Sequence, residues 1–225
     1  MSDALLPIHQ AIVACRRCPK MVGPPVHGPA LVSPIFLLGQ APGPHEGRKG
    51  RPFAHTAGQT LFRWFVEACG INETDFRARV YMAAVARCFP GKAPGGADRV
   101  PDAGEILNCS QHLRAELSVL QPELILAVGK LAISQVLGLE VFGPSARLTD
   151  VVGRPFKAVY LGHSADVICL PHPSGVSSWH KVEPGKTLLA KGLAQVRAHP
   201  AWRSVQNVSA ELAPIQSVAQ NPAGK

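Results

Sequence analysis

The chain has 225 residues, 46% of them hydrophobic, which suits one domain with a real core and excludes a chain too polar to fold. No apolar run is long enough to cross a bilayer, and the N-terminus "MSDALLPIHQAIVACRRCPK" lacks the basic-then-apolar layout of a signal peptide, so a cytoplasmic protein with no membrane partner is expected. A net charge of +8 points to a polyanionic partner, and in a reducing compartment the six cysteines suit ligand or core positions better than disulfides.

Four β-rich apolar runs punctuate the chain, each of a length that fits a strand buried on both faces. The first is "PIFLLG" (34–39), followed by a helical pattern that begins after Thr56 and stops at Gly70. The second is "RVYMAAVAR" (79–87). The helix after it opens with Asp102 and Glu105 in the spacing of a capping box and carries Ile106, Leu113, Leu117 and Leu120 on one face. The third run, "ELILAVG" (123–129), leads into the helical "KLAISQVLG". The fourth is "DVICLP" (166–171), with room for a short extended pair just before it, and the helical "KTLLAKGLAQVRAH" comes after it. Strands alternating with helices predict an α/β fold: three layers, α/β/α, around a mainly parallel four-stranded sheet. Residues 1–203 are expected to form this single domain, and 204–225, which hold no sustained period, a flexible tail.

Ligands of open parallel sheets sit beyond the carboxyl ends of the strands. Those ends are "GQAPG", "CFPGKAPGG", "GKLA" and "HPSG". Three of the four are rich in Gly, Pro and polar residues, so fold and loop chemistry converge on one rim. The loop "GQAPGPHEGRKGRPF" (39–53) adds an acid, Glu46, a basic cluster of Arg48, Lys49 and Arg51, and an aromatic, Phe53. No G-x-S-x-G marks a serine hydrolase and no G-x-x-x-x-G-K-[ST] marks a P-loop. Cys15 and Cys18 form C-x-x-C, Cys88 ends the second strand run, and Cys109 lies in the helix that follows. Spacing alone leaves zinc, an iron–sulfur cluster and a chance pair beside two buried cysteines all open. Cys69 and Cys169 read as core residues.

Taken in order, these motifs resemble the iron–sulfur branches, families 4 and 5, of the uracil-DNA glycosylase superfamily. The resemblance runs over roughly residues 10 to 200 and rests on Cys15 and Cys18, the 39–53 loop, Cys88, Cys109 and "HPSG" appearing in the family's sequence. It implies a [4Fe–4S] cluster on Cys15, Cys18, Cys88 and Cys109, stapling the N-terminal segment to the DNA-facing edge. It implies that Glu46 handles water, that Phe53 stacks on an extruded base, and that His172 stabilises the uracil O2. The chain is a mosaic: Gln40 and Ala41 depart from the family 4 loop, His45 is similar to the family 5 loop, and Ala84 stands where family 4 reads the uracil edge with asparagine.

The implied activity is that of a DNA repair enzyme of base excision, a monofunctional glycosylase that flips uracil, and other deaminated bases with it, out of single- or double-stranded DNA. It hydrolyses the N-glycosidic bond and leaves an abasic site. Gly39, Gln40, Ala41, Phe53, Ala84 and Ser174 would face the base. His172 would meet the charge that develops on it, and Glu46 would orient water. Arg48, Lys49, Arg51, Lys181 and Lys186 would contact phosphates, and Val176 and Trp179 would wedge into the gap left by the flipped base. A monomer is expected. Two rivals use the same residues: a non-catalytic binder of damaged or abasic DNA, which the loss of polar side chains at Ala41 and Ala84 permits, and a zinc-stapled nucleotide-processing enzyme.

Overall fold

The computed structural model describes residues 2–175 and 177–207. Its centre is a sheet of five strands: β1 (Ile35–Gly39), β2 (Tyr81–Ala84), β3 (Leu124–Val128), β4 (Pro155–Tyr160) and β5 (His163–Leu170). The spatial order is β2-β1-β3-β5-β4. β1 pairs parallel with β2 and β3, β3 pairs parallel with β5, and β4 returns antiparallel along β5. The expected four-stranded sheet is therefore corrected to five strands. The extra strand is the first half of the extended pair read before the last run. Exposed positions alternate with half-buried ones and only Tyr160 is buried, so it lacks the continuous apolar stretch that marks the inner strands.

Helices cover both faces: α1 (Leu6–Ala14), α2 (Glu46–Lys49), α3 (Thr56–Cys69), α4 (Glu73–Arg79), α5 (Ala103–Leu120), α6 (Lys130–Leu137), α7 (Leu148–Val151), α8 (Gly185–Ala198) and α9 (Pro200–Asn207). The three layers follow from the period of two along each strand. Phe36 and Leu38 of β1, Ile125 and Ala127 of β3, and Val167 and Cys169 of β5 pack with α5 and α6 residues in one core. Ile35 and Leu37, Leu124 and Leu126, and Ile168 and Leu170 pack on the other face with α3, α8 and α9. α5 opens with the expected box: the Asp102 side chain accepts from the Glu105 N–H, and Glu105 accepts from the Asp102 N–H at 2.8 Å. α9 runs four residues past the expected domain end at 203. It is held by Trp202, which is fully buried and stacks on Phe65 at 5.4 Å. The rest of the expected tail, 208–225, lies outside the described residues. Among the described residues no helix is long and apolar enough to cross a membrane.

Candidate active site and cysteine cavity

Beyond the carboxyl ends of β1 and β2 lies an open cavity of about 950 Å³. It gathers Gly39, Gln40, Ala41, Glu46, Phe53, Ala84, His172 and Ser174, all the residues that the sequence places at the base and in catalysis. The strand register explains the convergence. Gly39 is the last residue of β1 and pairs with Ala84, the last of β2, so the 39–53 loop and the floor of the cavity start at one level.

The loop is stapled by its own acid. Glu46 is 8% exposed, and its two oxygens accept the N–H of Gly43 at 2.5 Å and of Ala54 at 3.0 Å. Lys49 adds a bond to the Ala54 carbonyl at 2.7 Å. One carboxylate thus closes a turn of a dozen residues, and both its oxygens are engaged.

Phe53 sits in the left-handed region, with φ of 51°. A bulky residue held there costs ~1–3 kcal/mol, so its surroundings must impose the conformation. Arg77 supplies part of that constraint by donating to the carbonyls of Pro52 and Phe53, each at 2.9 Å, while Glu73 holds its Nε at 2.8 Å. The chain of Gly58 supplies another part, because a Cβ there would collide with the Phe53 carbonyl. The Phe53 ring then lies against Gly39, where any Cβ would stand 2.9 Å from Cζ. The flat face offered to the cavity is a product of these constraints.

His172 follows β5 and packs across Gly129, whose φ of 87° favours glycine and where a Cβ would stand a tight 3.3 Å from the His172 side chain. The His172 residue is exposed and lines the cavity. Desolvation lowers its pKa below the usual 6.5, against the pull of the Asp98 carboxylate. At neutral pH it is a neutral imidazole. Ala84, 8% exposed, offers the floor a methyl group. The Gln40 side chain, half-buried at the wall, makes no hydrogen bond among the described residues.

The basic residues Arg48, Lys49, Arg51, Lys181 and Lys186 are exposed. Arg48 bonds His45 at 2.9 Å, Arg51 pairs loosely with Glu73 at 3.7 Å, and Lys181 reaches the carbonyl of Gly175 at 3.4 Å. Lys186 is exposed near the start of α8. Trp179 is half-buried, packed against the core and over Gly185. Val176 lies outside the described residues.

Sequence reasoning passed over Arg77, Lys92 and Asp98. Arg77 looks like one of several arginines on a surface helix. Lys92 and Asp98 lie in "GKAPGGADR", where the one usable signal is a pair of opposite charges flanking a Pro-Gly-Gly turn.

A second cavity, of about 470 Å³, is lined by Cys15, Cys18, Cys88 and Cys109 together with Arg87 and His112. All four cysteines are free thiols. Among the described residues no three His, Cys, Asp or Glu side chains form a group that would hold a single metal ion. The Cys88 thiol is pushed up to about 11 by burial and by the other three sulfurs. Behind the thiols, Arg87 and Glu116 form an ion pair with both side chains essentially removed from solvent. Tyr81 donates to the same carboxylate at 2.7 Å, and His9 of α1 bonds the Tyr81 hydroxyl at 2.9 Å. Arg87 Nε and Nη1 and His112 Nε2 are buried with no partner in the structure. Asn108 places its amide 3.5 Å from the Cys18 sulfur. Cys69 and Cys169 do not line this cavity; Cys169 is buried in the core, and Cys69 is half-buried against it.

Comparison with known proteins now bears on both sites. The family model described as "Uracil DNA glycosylase superfamily" matches residues 25–197. This chain belongs to the uracil DNA glycosylase superfamily. A type-4 uracil-DNA glycosylase of Pyrobaculum aerophilum is 27% identical over 174 residues, 75% of this chain and 82% of its own. The type-4 enzyme of Archaeoglobus fulgidus is 27% identical over 177 residues, 77% and 83% of the two chains. A type-5 uracil-DNA glycosylase of Pyrobaculum aerophilum is 30% identical over 156 residues, 56% of this chain and 66% of its own. The likeness to both types within the superfamily matches the mosaic read from the loop.

Proposed function

We propose that this protein is a monofunctional glycosylase of base excision repair that removes uracil from DNA. The observation that carries the reading is the cavity at the ends of β1 and β2, where a constrained Phe53 ring, the Gly39 backbone and a neutral His172 face one space. Phe53 gives an extruded base a stacking face. As the C1′–N1 bond breaks, its electron pair moves onto the base, and a hydrogen bond from His172 to O2 strengthens with the growing charge. The Gly39–Gly43 backbone approaches the base closely enough to read its edge, with the Gln40 amide beside it. Arg48, Lys49, Arg51, Lys181 and Lys186 take the flanking phosphates, and Val176 and Trp179 lie on the segment that follows His172, where a wedge is needed. Deaminated purines are further candidate substrates, because Ala84 imposes no polar partner on the base.

In the same reading, Cys15, Cys18, Cys88 and Cys109 hold a [4Fe–4S] cluster. The residues fit such a group: four thiols share one cavity without the tight grouping that a single ion needs, and unpartnered donors on Arg87 and His112 lie with them. The cluster would tie the segment after α1 to the end of β2 and to α5, a structural duty outside the reaction.

The test is incubation of the purified protein with a uracil-containing oligonucleotide, followed by alkaline cleavage at abasic sites. Strand breaks at uracil support the reading. Tight binding to abasic or uracil DNA without breaks favours the non-catalytic binder. Iron and acid-labile sulfide in the anaerobically purified protein support the cluster, and zinc in their place overturns it.

A further inference from the structure

Two carboxylates flank Gly43. A Cβ built there would lie 3.5 Å from Glu46 Oε2 and 3.8 Å from Asp98 Oδ2. They differ in what they are free to do. Glu46 is buried and has committed each oxygen to a backbone N–H. Asp98 is exposed in the cavity wall and pairs with Lys92 Nζ through Oδ1 at 2.6 Å, while Oδ2 is the oxygen turned toward Gly43.

Asp98 is carried by a short hairpin anchored at its foot. Lys92 and Asp98 are bridged antiparallel, and the turn is closed by the Ala93 and Gly96 amides, which donate at 2.8 and 2.9 Å. The Arg99 N–H donates to the Gly91 carbonyl at 2.9 Å. The Arg99 guanidinium binds the Pro90 carbonyl at 2.8 Å and grips both oxygens of Glu105, at 2.8 Å each. The hairpin is thereby fixed to the start of α5. Asp98 also lies close enough to His172 for its charge to act on that ring. The acid and the imidazole therefore share one cavity, with Gly43 and the loop between them.

We propose that Asp98, and not Glu46, is the carboxylate that faces the reacting sugar and takes the proton of the attacking water. The inference rests on the glycosylase reading above and deepens it. In the step, the C1′–N1 bond breaks with its electron pair leaving on uracil. The water oxygen forms the new bond to C1′, and the proton it loses passes to Asp98 Oδ2 and from there to solvent. Before water arrives, the Asp98 charge offsets the positive charge growing on the sugar. Lys92 holds the carboxylate in its orientation, and Glu46 holds the loop.

The experiment compares single-turnover excision of uracil by the wild type, Asp98→Asn and Glu46→Gln, with thermal melting and affinity for uncleaved DNA measured on each. Asp98→Asn should slow excision by about 100-fold or more, the usual range for loss of a general base, with unchanged melting and no loss of DNA affinity. Its rate should also lose the acid limb of the wild-type pH profile, a change that a purely structural residue would not cause. Glu46→Gln should keep that acid limb, whatever it does to stability. If the wild type excises uracil and Asp98→Asn does so within about threefold of it, well under the effect expected of a general base, the assignment is wrong although the glycosylase reading survives. If the wild type excises none, both fall together.

Discussion

The base cavity and the cysteine cavity hold their charged groups in opposite ways. In the base cavity the fixed elements are main chain: Glu46 closes its loop on two N–H groups, and Arg77 pins two carbonyls to hold Phe53. The side-chain tips of His172, Gln40 and Asp98 stay open to the space. Beside the cysteines an entire ion pair, Arg87 with Glu116, is enclosed in protein; Tyr81 donates to the Glu116 carboxylate and His9 bonds Tyr81, while Arg87 Nε and Nη1 stay buried without a partner. A site that must receive a flipped nucleotide leaves its polar groups unsatisfied until the ligand comes. The enclosed pair beside the cysteines is out of reach of anything that enters from solvent.

The largest effect should come from the buried pair. Glu116→Ala leaves the Arg87 charge enclosed without its partner, which typically costs about 3–5 kcal/mol. Urea unfolding monitored by circular dichroism should show this loss. The double replacement Arg87→Met with Glu116→Leu should recover much of it, since apolar residues of similar volume tolerate such a position. A Glu116→Ala protein as stable as wild type would erase the contrast between the two regions.

His172→Ala should act on rate and leave stability alone. Removing a preorganised donor typically costs about 100- to 1,000-fold in the chemical step, and single-turnover excision should show a loss of that order, with DNA affinity nearly unchanged. Desolvation lowers the His172 pKa below the usual 6.5, so in the proposed reaction the neutral ring would be the donor. Acidifying from pH 7.5 toward 6.5 should therefore bring no gain in rate, and a clear gain would mean that the imidazolium is the active form.

Much of this was legible in the sequence, and what was not has physical causes. The inner strands announced themselves because both faces are buried, so their apolar runs are unbroken from Ile35 to Leu38 and from Leu124 to Val128. β4 read only as part of a short extended pair, because exposed positions alternate with half-buried ones and only Tyr160 is buried. α4 was missed because it is seven residues long and, among them, buries only Phe76. The loop acid and the histidine could be found from their order along the chain. The engagement of both Glu46 oxygens could not, because it depends on the fold bringing Ala54 back beside Gly43. Asp98 left only the faint signal of an opposite charge across a Pro-Gly-Gly turn from Lys92, and a carboxylate there reads as a solvated turn.

Glu46→Gln should have a moderate effect, and on the loop more than on chemistry. An amide in place of the carboxylate turns an NH2 group toward one of the two backbone donors and leaves it unpaired, at a cost of about 1–3 kcal/mol. Lower thermal stability and faster proteolysis between residues 43 and 54 should report this. Asp98→Asn, in an exposed pair, should change neither. Equal stability of the two variants would remove the distinction between the stapling and the facing carboxylate.

The smallest effect should be at Gln40, and it concerns selectivity. Ala84 closes the cavity floor with a methyl group, so the edge of the base must be read from elsewhere. The Gln40 amide is half-buried in the wall and has no partner among the described residues, which leaves both its donor and its acceptor for a base. One neutral hydrogen bond contributes about 0.5–1.5 kcal/mol, or roughly a tenfold change in rate at most. Gln40→Ala should therefore lower the preference for uracil over cytosine by up to about that factor, while binding to undamaged DNA stays the same. A panel of duplexes carrying uracil, hypoxanthine, xanthine or cytosine measures it. Ala84→Asn offers the opposite arm: an amide placed at the floor should sharpen the preference for uracil and penalise the purines, whose larger rings meet the new side chain. If Gln40→Ala leaves the whole panel unchanged, the backbone N–H and C=O groups of Gly39 to Gly43 carry the reading alone, and the side chain at position 40 is only part of the wall.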